Sequence, residues 1–228
     1  IYLMHPGLHG INMFDFHTLA LIVPNVMWAV YLLDVGGLRR YWLVFALLLL
    51  TREDISLICC FIGAYAILSG RTRTGLVTIG LSLVYLYIPK VHVMASTDLL
   101  TSSNNSSYSY AYYYAEMIPH KKEGTRGLIV SLLTNPLYAE EKLLFFLHTL
   151  LPLLCLPFAA GRKLILSVYG LLFIGLASRK HVYSLHFQYS ALLLPMLFTA
   201  VPDGLARVSE SSRLRALGFE RARLAWTL

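Results

Sequence analysis

Apolar residues gather along this chain into seven stretches, at about Thr18 to Gly36, Tyr41 to Leu50, Ile55 to Leu68, Thr74 to Val93, Leu143 to Ala159, Leu164 to Ala177 and Tyr189 to Ala206. A bilayer core of about 30 Å takes roughly 20 helical residues, with about 17 as the usual lower limit. The second, third and sixth stretches fall short of that. The pattern predicts an all-α fold: a polytopic transmembrane helical bundle of about seven membrane segments, some of them short and paired as half-length helices.

The run from Tyr41 to Ser69 is interrupted once, by Thr51-Arg52-Glu53-Asp54. As one helix its 29 residues would span about 43 Å and place Arg39-Arg40 and Arg71 on opposite sides. As two helices folded back at the interruption, both basic ends stay on one side. The hairpin is the expected arrangement. Its first arm is short, so the turn should lie below the membrane surface, where irregular backbone needs protein or a water-filled cavity around it.

Composition agrees with the membrane reading: 57% of residues are hydrophobic and 14% charged, with mean hydropathy +0.63, against roughly 25% charge in soluble domains. The net charge of +7 does not indicate nucleic acid, because the basic residues sit between apolar segments and not on one solvated face with stacking aromatics. Cys59, Cys60 and Cys155 have neither a metal spacing nor a disulfide frame and are expected as small buried hydrophobes. The chain opens at Ile1 without a signal-peptide pattern and is expected to be the C-terminal part of something longer.

Charge sets the orientation. Arg39-Arg40, Arg71 with Arg73, Arg162-Lys163, and a tail bearing Arg207, Arg213, Arg215, Arg221 and Arg223 follow the first, third, fifth and seventh segments. Seven crossings put all four groups on one side, which the positive-inside rule makes cytoplasmic. Arg179-Lys180 and Lys121-Lys122 fall on the other side. The expected organisation is a multi-pass transmembrane domain over 1–206 in the plasma membrane, an extracytoplasmic loop at 95–140, and a basic amphipathic cytoplasmic tail at 207–228 on the inner leaflet. The loop's tyrosines, Tyr108, Tyr110, Tyr112, Tyr113 and Tyr114, read as an interfacial belt, with a sugar platform as the alternative.

Three polar features then share the outer side with Thr51 to Asp54: Asn12 to His17, the 95–140 loop, and Arg179 to Tyr189. Charge at bilayer depth costs several kcal/mol unless it faces protein or water, which marks Arg52, Glu53 and Asp54 as candidate site residues. Capping of the third segment accounts for one acid. It does not account for the arginine, since a guanidinium near a helix N-terminus needs a carboxylate or a phosphate beside it. Asp15 and His17 share a face on extended backbone. They can ligate a divalent metal, orient each other for proton transfer or contact a phosphate, or Asp15 can cap the first helix. His186, Gln188 and Tyr189 stand where the chain re-enters the membrane, a position where Tyr often serves as an anchor. His92 and His148 are expected to be satisfied by neighbouring helices.

Phe14-Asp15-Phe16-His17, then Leu50-Thr51-Arg52-Glu53-Asp54, then Gln188-Tyr189-Ser190-Ala191 leading to Pro195, together resemble a family of prokaryotic membrane proteins known as domain of unknown function 2079. That family is grouped with the GT-C glycosyltransferases, multi-helix membrane enzymes that take sugar from a polyprenyl-phosphate donor on the extracytoplasmic side. Members usually carry His immediately before the Tyr-Ser pair, where this chain has Gln188, with His186 two residues earlier. GT-C enzymes carry their catalytic acid in the first outer loop, and this chain is expected to begin downstream of it. The resemblance implies a GT-C-like fold and a lipid-linked sugar transferase. Asp15, Glu53 and Asp54 would be its catalytic groups, and Arg52, His17, His186, Gln188 and Tyr189 would contact the substrate or its phosphate. A divalent ion, Mg or Mn, would be held by Asp15, His17 and Glu53. The alternative is a transporter in which Arg52, Glu53 and Asp54 form an ion or proton relay. Polar residues continuing inward from Arg52 would favour it.

Overall fold

The structure, a computed structural model, describes residues 2–13, 18–88, 139–177 and 179–210. Every regular element among them is helical: α1 (Pro6–Met13), α2 (Ile22–Val35, continuing a 3-10 turn at Thr18–Leu21), α3 (Leu38–Leu49), α4 (Ile55–Leu68), α5 (Thr72–Ile88), α6 (Ala139–Leu150), α7 (Leu164–Leu176) and α8 (Leu194–Glu210). One of these helical stretches, the 18 residues Thr18–Val35, is long and apolar enough to cross a membrane; Ile55–Leu68 and Thr72–Ile88 are apolar but shorter. At 1.5 Å per residue, the 14 residues of α4 reach about 21 Å.

No continuous helix runs from Tyr41 to Ser69. α3 stops at Leu49, the Thr51 hydroxyl turns back to donate to the Leu48 carbonyl at 2.5 Å, and α4 begins at Ile55. At the other end of this hairpin, α2 closes on Gly36, whose left-handed φ of 83° lets its amide reach the Leu32 carbonyl. The Arg71 guanidinium lies over Gly36, so the α2–α3 and α4–α5 turns share one end of the bundle. Tyr65 of α4 bonds Asp34 of α2 at that end, and Lys163, just before α7, pairs with Asp34 and with Asp203 of α8. Arg207 reaches the Ala159 carbonyl there as well. Basic groups that follow the first, third, fifth and seventh apolar stretches therefore meet at one end. The starts of α2, α4 and α8 and the close of α7 lie at the opposite end, together with the 180–192 segment.

Two close approaches set the packing. α4 and α5 touch at Gly63 and Gly75, where a Cβ on either glycine would run into the other's carbonyl oxygen, the small-residue contact that lets membrane helices meet at backbone distance. α1 lies across the 185–190 segment: a Cβ on Gly10 would collide with the Leu185 carbonyl, and Ser190 donates its hydroxyl to the Gly7 carbonyl at 3.4 Å. The core is filled by Leu19, Ile22, Val26, Ile58, Ile62, Leu166, Leu192 and Met196. Leu43 and Leu47 on α3 and Leu76, Leu83 and Val84 on α5 point outward at half exposure or more, exposed apolar side chains of the kind that mark a membrane or partner face.

The structure departs from expectation in four places. The fifth stretch is a helix only to Leu150; Pro152 and Pro157 cannot continue it, and Leu154 and Cys155 turn left-handed at φ 52° and 54°. Of the cysteines, Cys59 is buried, Cys60 partly so and Cys155 exposed, because the last sits in that irregular turn. His148 is exposed and bonds the Leu144 carbonyl of its own helix at 2.8 Å, not a neighbour. α8 runs unbroken across the expected boundary at 206 as far as Glu210. The rest of the tail, His92, and the loop at 95–138 with its tyrosines lie outside the described residues.

Candidate functional site

At the end opposite Arg71, Arg162 and Arg207, the chain leaves α3 through Leu50 and Thr51 and enters α4 at Asp54. Asp54 occupies the N-cap position without making a side-chain bond to the helix, so capping does not explain it. Its carboxylate is 1% exposed and takes a 2.8 Å ion pair from the Arg52 guanidinium, itself 29% exposed. One oxygen, Oδ1, has no hydrogen-bond partner among the described residues. Burying a carboxylate is costly, and the pair offsets that cost on one oxygen only. Glu53, between them, is half-buried.

The 180–192 segment supplies the second part of this end. Gln188 is buried, with its amide oxygen unpartnered among the described residues. Tyr189 stacks on Phe173 of α7 with ring centres 6.2 Å apart and meets His181 at 5.6 Å. Burial, then the nearby Arg179 charge, lowers the His181 pKa. His186 is exposed, its amide bonded to the Ser184 hydroxyl at 3.3 Å. Of the expected residues, then, Arg52 and Asp54 are in contact, while Gln188 and Tyr189 lie at the same end on a different element. Asp15 and His17 lie outside the described residues. Among the described residues no three His, Cys, Asp or Glu side chains gather as metal ligands, and two of the three expected ligands are not among those residues.

A polar path from Arg52 towards the arginines would favour transport. Between the two ends, Tyr41 is fully buried and shares a 2.8 Å hydrogen bond with Thr78 of α5. Thr78 and Ser82 also donate to carbonyls of their own helix, at Thr74 and Thr78. These hydroxyls are satisfied locally.

Sequence reasoning missed the second ionisable cluster, Asp34, Tyr65, Lys163 and Asp203. Lys163 sits 2.8 Å from Asp34 and 3.0 Å from Asp203. Burial pulls its pKa down, but the two carboxylates outweigh that and raise it. The signal was present: Asp34 closes the 18-residue apolar stretch and Asp203 lies inside the last one, positions where an acid asks for a partner.

Helices too apolar for their surroundings, acids held at their ends and unpaired leucine faces all indicate a membrane protein. A family model for predicted membrane proteins matches residues 1–227. The chain belongs to the DUF2079 family. No curated protein and no solved structure matches it. For a DUF2079 protein, the outward leucines of α3 and α5 have a bilayer to face.

Proposed function

We propose that this DUF2079 protein transfers a sugar from a polyprenyl-phosphate donor on the extracytoplasmic face, within a multi-pass, GT-C-like bundle of about seven segments. The observation that carries the reading is the Arg52–Asp54 pair, its carboxylate buried, with no side-chain cap bond from Asp54 and one of its oxygens without a partner among the described residues. Buried polar atoms without partners ask for a ligand, water or ion. Arg52 reaches solvent while Asp54 does not, which suits a division of labour: Asp54 orients the guanidinium, and the guanidinium engages the lipid phosphate. Glu53, the more accessible acid, suits proton abstraction from the acceptor hydroxyl. Gln188, Tyr189 and His186 would line the sugar side. Asp15 and His17 complete the set, and a divalent ion would be held by them with Glu53.

The test is sugar transfer by membranes containing the protein, with a radiolabelled polyprenyl-phosphate sugar. Glu53→Gln should abolish turnover with little change in KM, while Arg52→Lys should raise KM for the lipid donor, because lysine keeps the charge and loses the fork. Full activity in a Asp15→Asn, Glu53→Gln, Asp54→Asn triple variant would overturn the proposal.

A second reading, an ion or proton path, draws on ionisable clusters at both ends of α4: Arg52–Asp54 at its start and Tyr65–Asp34 at its close. It requires proton flux in sealed vesicles that Asp54→Asn and Asp34→Asn each stop.

A further inference from the structure

The arginine-rich end holds a cavity of about 300 Å³, at the opposite end from Arg52 and Asp54. Its wall includes Tyr65, Ser69, Arg71, Arg162 and the Lys163 cluster. All three cations stand at helix starts, Arg71 directly before α5 and Arg162 and Lys163 directly before α7. A helix N-terminus carries partial positive charge, so a cation is unfavourable there unless an anion accompanies it. Lys163 has its anions, at 2.8 and 3.0 Å. Arg71 and Arg162 form no ion pair among the described residues, and the one guanidinium bond Arg162 makes among them is a 3.5 Å contact with the Leu68 carbonyl.

We propose that this cavity binds a phosphate group, held between Arg71 and Arg162. A guanidinium matches phosphate bidentately, both arginines line the one cavity, and the two helix starts add favourable dipoles. The volume holds a phosphate and several waters, at roughly 30 Å³ of liquid per water. Beside it, across Gly36, runs a groove of about 630 Å³ lined by Trp28, Tyr31, Leu32, Leu38, Arg39 and Arg40. Arg71 lies against Gly36, so a phosphate in the cavity has next to it a groove that combines apolar side chains with Arg39 and Arg40. An anionic lipid would use both, with its head group in the cavity and a chain along the groove; free phosphate would use the cavity alone.

The experiment uses the protein in zwitterionic nanodiscs, with native mass spectrometry and thermal melting as readouts. Phosphatidylglycerol and inorganic phosphate are added in separate arms. The expected result is retained anion and a raised Tm for the unsubstituted protein. Arg71→Gln/Arg162→Gln should weaken binding by about tenfold or more, the scale of one charge-assisted bidentate contact. Arg73→Gln, exposed at the same helix start and off the cavity, should stay within about twofold of the unsubstituted protein. A response to the lipid alone identifies a head group as the source; a response to inorganic phosphate identifies a free anion. No response to either overturns the proposal, as does equal binding by the Arg71→Gln/Arg162→Gln protein. If that variant does not fold, Arg71→Lys/Arg162→Lys keeps the charge and loses the fork. Weakened binding by that folded protein supports the site, and unchanged binding overturns it.

Discussion

His5 shows how much a single side chain can fix. The Gly7 amide donates to its Nδ1 at 3.1 Å, which leaves Nε2 to donate to the Thr149 carbonyl at 2.9 Å. The ring is therefore neutral in one tautomer, and burial lowers its pKa. A depressed pKa contributes stability that is present above the unfolded value, about 6.5, and lost as pH falls below it. Thermal melting should show destabilisation as pH falls below about 6.5 that shrinks in a His5→Gln protein. Arg52 and Asp54 make the complementary case. Arg52→Ala strands a carboxylate that is 1% exposed and should cost near the low end of about 3–5 kcal/mol, since Arg52 itself keeps some water. Asp54→Asn should cost less, because the amide needs no counter-charge. Urea titration in mixed micelles would order the two; equal losses would show that the ion pair is not what holds this turn.

Elements are where the sequence was most legible. The third apolar stretch, read as Ile55 to Leu68, is α4 over those same residues, and the polar tetrad at 51–54 marks the break that separates it from α3. Charge in an apolar run is a strong local signal, because burying it in a continuous helix would be expensive. The fifth stretch was misread for a local reason as well: Pro152 and Pro157 are hydropathically quiet, yet each removes an amide and blocks the helix. The α4–α5 contact was not legible at all, since Gly63 and Gly75 are ordinary glycines until the helices cross there. Gly63→Ala and Gly75→Ala should each destabilise the protein by roughly 1–3 kcal/mol, as an overpacked site does. Gly80→Ala, on the same helix with nothing within 4 Å, should be neutral or slightly stabilising. Melting temperatures of the three variants check this.

Across the whole molecule, Lys163 ties α2, the start of α7 and α8 together through two carboxylates. Lys163→Met should lower stability by about 1–2 kcal/mol, discounted because Asp34 and Asp203 remain partly exposed. The raised pKa of Lys163 carries a definite sign. Its contribution is complete below the ordinary lysine value of about 10.4 and is lost as pH rises through the higher folded value. The gap in Tm between the unsubstituted and Lys163→Met proteins should stay constant from about pH 7 to 10 and close above that. A gap that closes at neutral pH would contradict the assignment.

Hydrophobic periodicity and the placement of charge were enough to establish an all-helical membrane protein, its basic ends gathered together, and Arg52 to Asp54 as the odd charges in an apolar run. These are local properties, written in stretches of ten to twenty residues and read against the cost of burying charge. Asp34, Tyr65, Lys163 and Asp203 are spread over some 170 positions, and only the crossing of four elements makes them one cluster. The same holds for the glycine contact of α4 with α5. Each depends on distances between segments, which hydrophobic pattern does not encode and packing does.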